Sequence, residues 1–383
     1  MRSGDRVRIV AQLINAADGY HVWSERYDRK LQDVFGVQDE IARTIAERLE
    51  VSLEPELQQR LASTGTRDVE AYQLYLRGRF HWNKRSLDGL PKAVECFQQA
   101  IANDPDYAVA YAGLADAYNM LSFRNVLPAN EAMPKAMAAA TNALKLDPRR
   151  AEPHVSLGYA SFTYDRDWPA AGRHFEQALA LNRSYVLSHS HYALYLTSRG
   201  RFQESLTIGK RALELDPAAP AVSNILGVLL YAARQFDQAI RQCEQTLEMD
   251  PNYQFAYVML AQVYSVAGLY KNAVLTLEKV LATRRSPWEL ALLGYAHARS
   301  GGRATALEII AELERTKAAF ESALCFALVY AGLNEFDQAF AWLEKACEER
   351  PNRLAYIKVE PLWDPLRSDP RFKDLMGRLG LPD

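Results

Sequence analysis

The 383-residue chain carries no excess of either charge: 45 lysines and arginines face 47 acidic residues, for a net charge of −2. Nothing in that balance calls for a nucleic acid or an anionic membrane surface as a direct partner. Cysteine is scarce. Cys96, Cys243, Cys325 and Cys347 lie far apart, and no two have the spacing of metal ligands or of a redox motif. They read as reduced packing residues. Long apolar runs are missing too. The most apolar stretch, 225–233, is far too short to span a bilayer, and the first residues are charged and lack a secretory pattern, so a cytoplasmic location is expected. There is no glycine-rich phosphate loop, no His-Arg-Asp loop, no metal-binding aspartate pair and no set of nucleophile, base and orienting group. His189 and His191, two positions apart, point about 200° apart on a helix and cannot share a metal. The sequence therefore predicts no enzyme, no metal and no cofactor.

What is present is a recurring spacing. A small residue is followed by a packing residue four places on, another small residue three further, and proline five further. Ala239, Cys243, Thr246 and Pro251 show it, as do Ala136, Ala140, Ala143 and Pro148, and Ala339, Leu343, Ala346 and Pro351. Pro217 and Pro251 are 34 residues apart, the period of the tetratricopeptide repeat. Before each such segment stands a helix with its own stripe, for example Tyr257, Leu260, Ala261 and Tyr264, whose offsets of three and four share one face. About eight repeats follow in 71–351, the third lacking its closing proline (Arg183 stands there), the sixth lacking it too, and the seventh degenerate. The expected fold is all-α, a right-handed helix–turn–helix solenoid.

Residues 1–62 differ. Val7, Ile9, Ala11 and Leu13 alternate with other residues as in a strand, 16–19 reads as a turn, and 20–27 as the returning strand. Val37, Ile41, Ile45 and Leu49 then make a helix stripe that Leu53, Leu57 and Leu61 extend. A hairpin and one helix bury too little to stand alone. The sequence is accordingly expected to begin inside an α/β domain, with 63–70 a linker. At the other end, 352–383 reads as a cap: Phe372, Leu375, Met376 and Leu379 form an apolar stripe after Ser368 and Pro370.

The stretches Ser3-Gly-Asp-Arg-Val-Arg-Ile-Val-Ala-Gln-Leu-Ile14, Gly19-Tyr-His-Val-Trp-Ser-Glu-Arg-Tyr-Asp28, Ala71-Tyr-Gln-Leu-Tyr-Leu-Arg-Gly78 and Asp364-Pro-Leu-Arg-Ser-Asp-Pro-Arg-Phe372 resemble the TolB/FlgO-like plus tetratricopeptide region of bacterial signalling proteins. In that group an effector lies upstream: a serine/threonine kinase, a class III adenylate cyclase, or a winged-helix DNA-binding regulator. The resemblance implies a sensing or scaffold region. It also implies an alternative, a separately encoded regulatory subunit that completes such an effector.

The candidate site is the groove lined by the first helix of each repeat. Its expected positions are Tyr159, Phe162, Leu187, Leu194, Asn224, Val228, Tyr231, Phe255, Val258, Gln262, Trp288, Tyr295 and Arg299. Apolar and aromatic groups dominate, and Asn224 with Arg299 alone do not make a basic clamp. A protein or peptide partner with an apolar or amphipathic segment is expected.

Overall fold

The computed structural model describes residues 2–3, 6–14, 21–30, 40–41, 44, 65–283, 285–315 and 322–381. Most of the expected 37–61 helix stripe, the 16–19 turn and residues 63–64 of the expected linker lie outside the described residues. The chain divides into two compact units, 1–114 and 115–383.

In the first unit a three-stranded antiparallel sheet has the order β1 (Arg2–Ser3), β2 (Arg6–Ile14), β3 (His21–Lys30). The two-residue β1 was not visible in the alternation, since two residues carry no period. Ile9 lies opposite Tyr27, and Ile9 and Ala11 pack with Trp23, Tyr27 and Ile41 on one face. Arg8 pairs across the strands with Asp28 at 2.9 Å, and Val10, on the other face, is 56% exposed. Helices α1 (Val69–Lys84) and α2 (Gly89–Asn103) follow. Asp68 caps α1, accepting from the Ala71 amide at 2.8 Å.

The other helices are α3 (Ala108–Phe123), α4 (Ala129–Leu146), α5 (Ala151–Ala160), α6 (Trp168–Leu181), α7 (Val186–Ser198), α8 (Phe202–Leu215), α9 (Pro220–Ala232), α10 (Phe236–Met249), α11 (Gln254–Val266), α12 (Tyr270–Thr283), α13 (Pro287–Arg299), α14 (Arg303–Arg315), α15 (Ser322–Gly332), α16 (Phe336–Glu349) and α17 (Pro370–Arg378). From α5 to α16 each first helix packs on the second helix of its pair, and the pair packs on the next. The fold is an all-α helix–turn–helix array.

Three local devices build it. The first is the small residue of the first helix. A Cβ on Gly78 would lie 2.6 Å from the Phe97 ring, and one on Gly158 would lie 2.9 Å from that of Phe175, so glycine is what lets an aromatic from the second helix lie against the first. The second is a left-handed residue in the turn inside each pair. Arg166, Gly200, Arg234 and Gly268 recur at intervals of 34, all with positive φ, followed by Gly301 and Asn334. The third is the stop. Before Pro105, Pro148 and Pro251 the chain is extended, and the aspartate there turns back on it: Asp104, Asp147 and Asp250 accept from the amides two residues on at 3.0–3.1 Å. Asn182 does the same for Ser184 at 3.1 Å, which explains how the third repeat ends without proline.

Candidate functional site: the inner face of the array

The inner face of residues 115–383 is not open. After α16 the chain turns at Arg350 (φ 50°) and runs back across the first helices as two short 3-10 helices, Asn352–Tyr356 and Pro361–Leu366. Pro361 and Pro365 remove two amide donors and keep this segment from becoming an α-helix. Its apolar side chains go down: Leu354, Ile357, Leu362, Trp363 and Leu366 are all 2% exposed or less.

Polar and aromatic groups of the segment meet the inner face. Asn352 donates to Ser122 Oγ at the end of α3, at 3.1 Å. The Arg353 guanidinium lies over Trp288 of α13 at 4.3 Å and over Phe123 of α3 at 5.9 Å. Tyr356 meets Phe162 edge-on, with ring centroids 5.9 Å apart. Tyr231 of α9 donates to the Glu360 carboxylate. Arg234, in the left-handed turn after α9, forks onto Asp364, with one bond of 2.8 Å. Arg367 fastens the segment to itself, bonding Asp364 at 2.7 Å and the Lys358 and Glu360 carbonyls at 2.5 and 3.1 Å.

The candidate positions are distributed accordingly. Tyr159, Phe162, Asn224, Tyr231, Val258, Gln262, Trp288 and Tyr295 are buried. Leu187, Leu194, Val228 and Phe255 are half-buried, and Phe255 stacks on Phe123 at 6.1 Å beneath Arg124. Arg299 is exposed. Phe162 is aimed inward by a π-helical turn, Ser161–Asp165, that widens the end of α5. An occupant of the kind expected for this groove is therefore present, and it belongs to the same chain. In sequence, residues 352–366 read with the cap because the stripe Phe372, Leu375, Met376 and Leu379 is the periodic feature of the tail. The signal that separates them is an apolar stretch with two prolines and no helical period. In α17, Phe372, Leu375, Met376 and Leu379 are buried, and Arg371 and Arg378 reach Asp337 and Glu344 of α16 at 2.8 and 2.5 Å.

Burial sets the proton affinities here. It raises the pKa of Tyr231 well above the usual phenol value, with the Glu360 charge adding to it. It also raises Glu360 above the ordinary 4.5, the Tyr231 hydrogen bond pulling the other way. Below pH 4.5 both folded and unfolded chains hold this proton. As pH rises past 4.5 the unfolded chain ionises first, so stability falls up to the folded value and is level above it. Glu360→Gln keeps an oxygen for Tyr231 and removes that slope. Its stability relative to the parent, from urea unfolding at a series of pH values, is expected to rise across this window. A flat difference would mean that Glu360 faces solvent.

Two features were not visible in the sequence. His154 and His174, on α5 and α6, bring their Nδ1 atoms to 3.1 Å, and burial followed by the charge of His174 lowers His154 to about 4. His189 and His191 instead bond the carbonyls of Arg183 and Leu187. The second feature is a cavity of about 570 Å³ beside the second 3-10 helix, where Arg234, Arg299 and Asn334 come together. Arg299 is 65 positions after Arg234 and 35 before Asn334 along the chain, so only stacking unites them.

Tetratricopeptide-repeat family models match residues 161–220, 230–292 and 326–353. A Rhizobium meliloti (strain 1021) protein, provisionally named adenylate cyclase 3, is 34% identical over 164 residues, 42% of this chain and 27% of that protein. The transcriptional regulator HilA of Salmonella typhimurium is 25% identical over 173 residues, 45% of this chain and 31% of HilA. The chain thus spans under a third of the length of these two relatives. Among solved structures, human IFIT1 with PPP-AAAA superposes with a TM-score of 0.52 at 18% identity, over 82% of each chain, a likeness of fold alone. Among the described residues no helix is long and apolar enough to cross a membrane. With the pairwise helix packing, these matches show that the chain carries tetratricopeptide repeats within residues 161–353 and resembles signalling proteins over the matched parts.

Proposed function

We propose that the chain is a non-catalytic protein-interaction module, the sensing or scaffold region of a bacterial signalling system, working in the cytoplasm on protein segments rather than on nucleic acid or membrane. The observation that carries this reading is the occupied inner face. Aromatic, acidic and basic side chains of a 3-10-helical segment find partners there, which is what peptide recognition by a repeat array requires. The groove positions left least covered, Leu187, Leu194, Val228, Phe255 and Arg299, are those a partner reaches without displacing residues 352–366.

A second reading is that the chain regulates an effector enzyme or transcription regulator. The names of its two bacterial relatives, and the length of each beyond the matched part, favour it. Site-specific photo-crosslinking from groove position 194 in bacterial cells, with mass spectrometry of the products, tests both. A discrete protein partner is expected. If that partner persists after removal of residues 1–62, the chain is a free adaptor; if it is lost, the chain is a regulatory subunit. Crosslinks within the chain alone, or cyclic nucleotide formation by the purified chain, would contradict the proposal.

A further inference from the structure

We propose that the cavity beside the 3-10 helix Pro361–Leu366 is a binding site for an acidic residue flanked by apolar ones in a partner segment. This rests on the reading of the chain as a protein-interaction module and names the chemistry of what it binds. The cavity, about 570 Å³ and open to solvent, falls in the size range of pockets that hold a small ligand. One wall is aromatic, with Phe236, Tyr270, Tyr295 and Phe336. The other is cationic, with Arg234 and Arg299.

The two arginines are not equivalent. Arg234 already holds a carboxylate, that of Asp364, through both terminal nitrogens. The chain has thereby placed one carboxylate in the cavity itself. Arg299 projects from the end of α13 into the same space and donates only to the Asn334 amide oxygen, at 3.2 Å, with no ion pair among the described residues. The nearby acids are committed elsewhere. Glu335 pairs with Arg303, Asp364 is shared by Arg234 and Arg367, and Glu360 faces Tyr231. The cavity thus lacks one negative charge at the Arg299 side, next to an apolar wall. Two of the three polar groups sit at left-handed turn positions, Arg234 (φ 64°) and Asn334 (φ 60°), where neighbouring repeats carry Gly200, Gly268 and Gly301. In those repeats the turn offers no side chain at all.

The probes are two blocked peptides, acetyl-Gly-Leu-Glu-Phe-Gly-amide and its Gln counterpart, titrated into the full chain by calorimetry and by NMR. The Glu peptide is expected to bind about tenfold more tightly than the Gln peptide. That preference is expected to vanish in Arg299→Gln and to shrink as KCl rises from about 0.05 M to about 0.5 M. Arg299 is exposed, so its replacement should leave the melting curve in place. Equal affinities for the two peptides, a preference that survives Arg299→Gln, no binding of either, or displacement of the Glu peptide by inorganic phosphate at equal concentration would each overturn the inference. Crosslinking of a partner that persists in Arg299→Gln would leave the interaction reading standing while this site falls.

Discussion

Replacing Trp363 by alanine is expected to remove about 3–5 kcal/mol from the unfolding free energy of residues 115–383. Trp363 is 2% exposed and shares one buried cluster with Tyr295, Leu324 and Phe326. The 3-10 helix that carries it packs on α11 and α15. Deleting the indole leaves a hole bounded by three elements, none of which can collapse without dragging its repeat along. The result is read in urea unfolding as a shift of the transition at unchanged slope. A surface tail would respond differently: a change within about 0.5 kcal/mol would mean that this segment does not rest on the inner face. The same variant is expected to make the Tyr356–Glu360 stretch more open to proteolysis, since the buried anchor next to its Phe162 and Tyr231 contacts is then gone.

Phe175→Ala is the second large effect, again about 3–5 kcal/mol. The Phe175 ring is fully buried and touches Phe162, Tyr192 and Tyr195, with centroids 5.7–6.1 Å away. Phe162 in turn supports Tyr356, so the loss passes from the second helix of the third repeat through the first helix to the returning segment. Gly158 sharpens the test. Alanine there would bring its Cβ to 2.9 Å from this ring, and it is expected to cost about 1–3 kcal/mol in the parent. In the Phe175→Ala background the methyl enters the vacated space, so the two losses should not add. Additive losses would mean that the two residues do not meet.

Much of the fold was legible because its rules are local. The spacing of Ala239, Cys243 and Thr246 marks a helix face whatever surrounds it, and Gly268 marks a turn. Alternation at Ile9 and Ala11 sufficed for the hairpin. The left-handed turns at Arg166 and Arg234 were not legible, since arginine carries no such signal; only the 34-residue interval through Gly200 and Gly268 betrays them, while Asn334 offers the weak signal of a residue that tolerates this conformation. The inner face was harder. That Tyr231, Trp288 and Tyr295 lie on it follows from helical period. That Glu360, Arg353 and Pro361 cover them does not, because contacts over more than a hundred residues depend on how each repeat rotates on the last. For the same reason Arg299 was read from its own helix alone, without Arg234 and Asn334.

The account turns on residues 352–366 lying against the first helices. Amide hydrogen exchange of the full chain, followed by mass spectrometry, tests this most directly. The amides of Leu354, Ile357, Val359 and Trp363 donate to backbone carbonyls within the segment, and their side chains pin it in place. They are expected to exchange with protection comparable to that of α11 and α13. Exchange at the rate of a free peptide of the same sequence, while the helices stay protected, would contradict it.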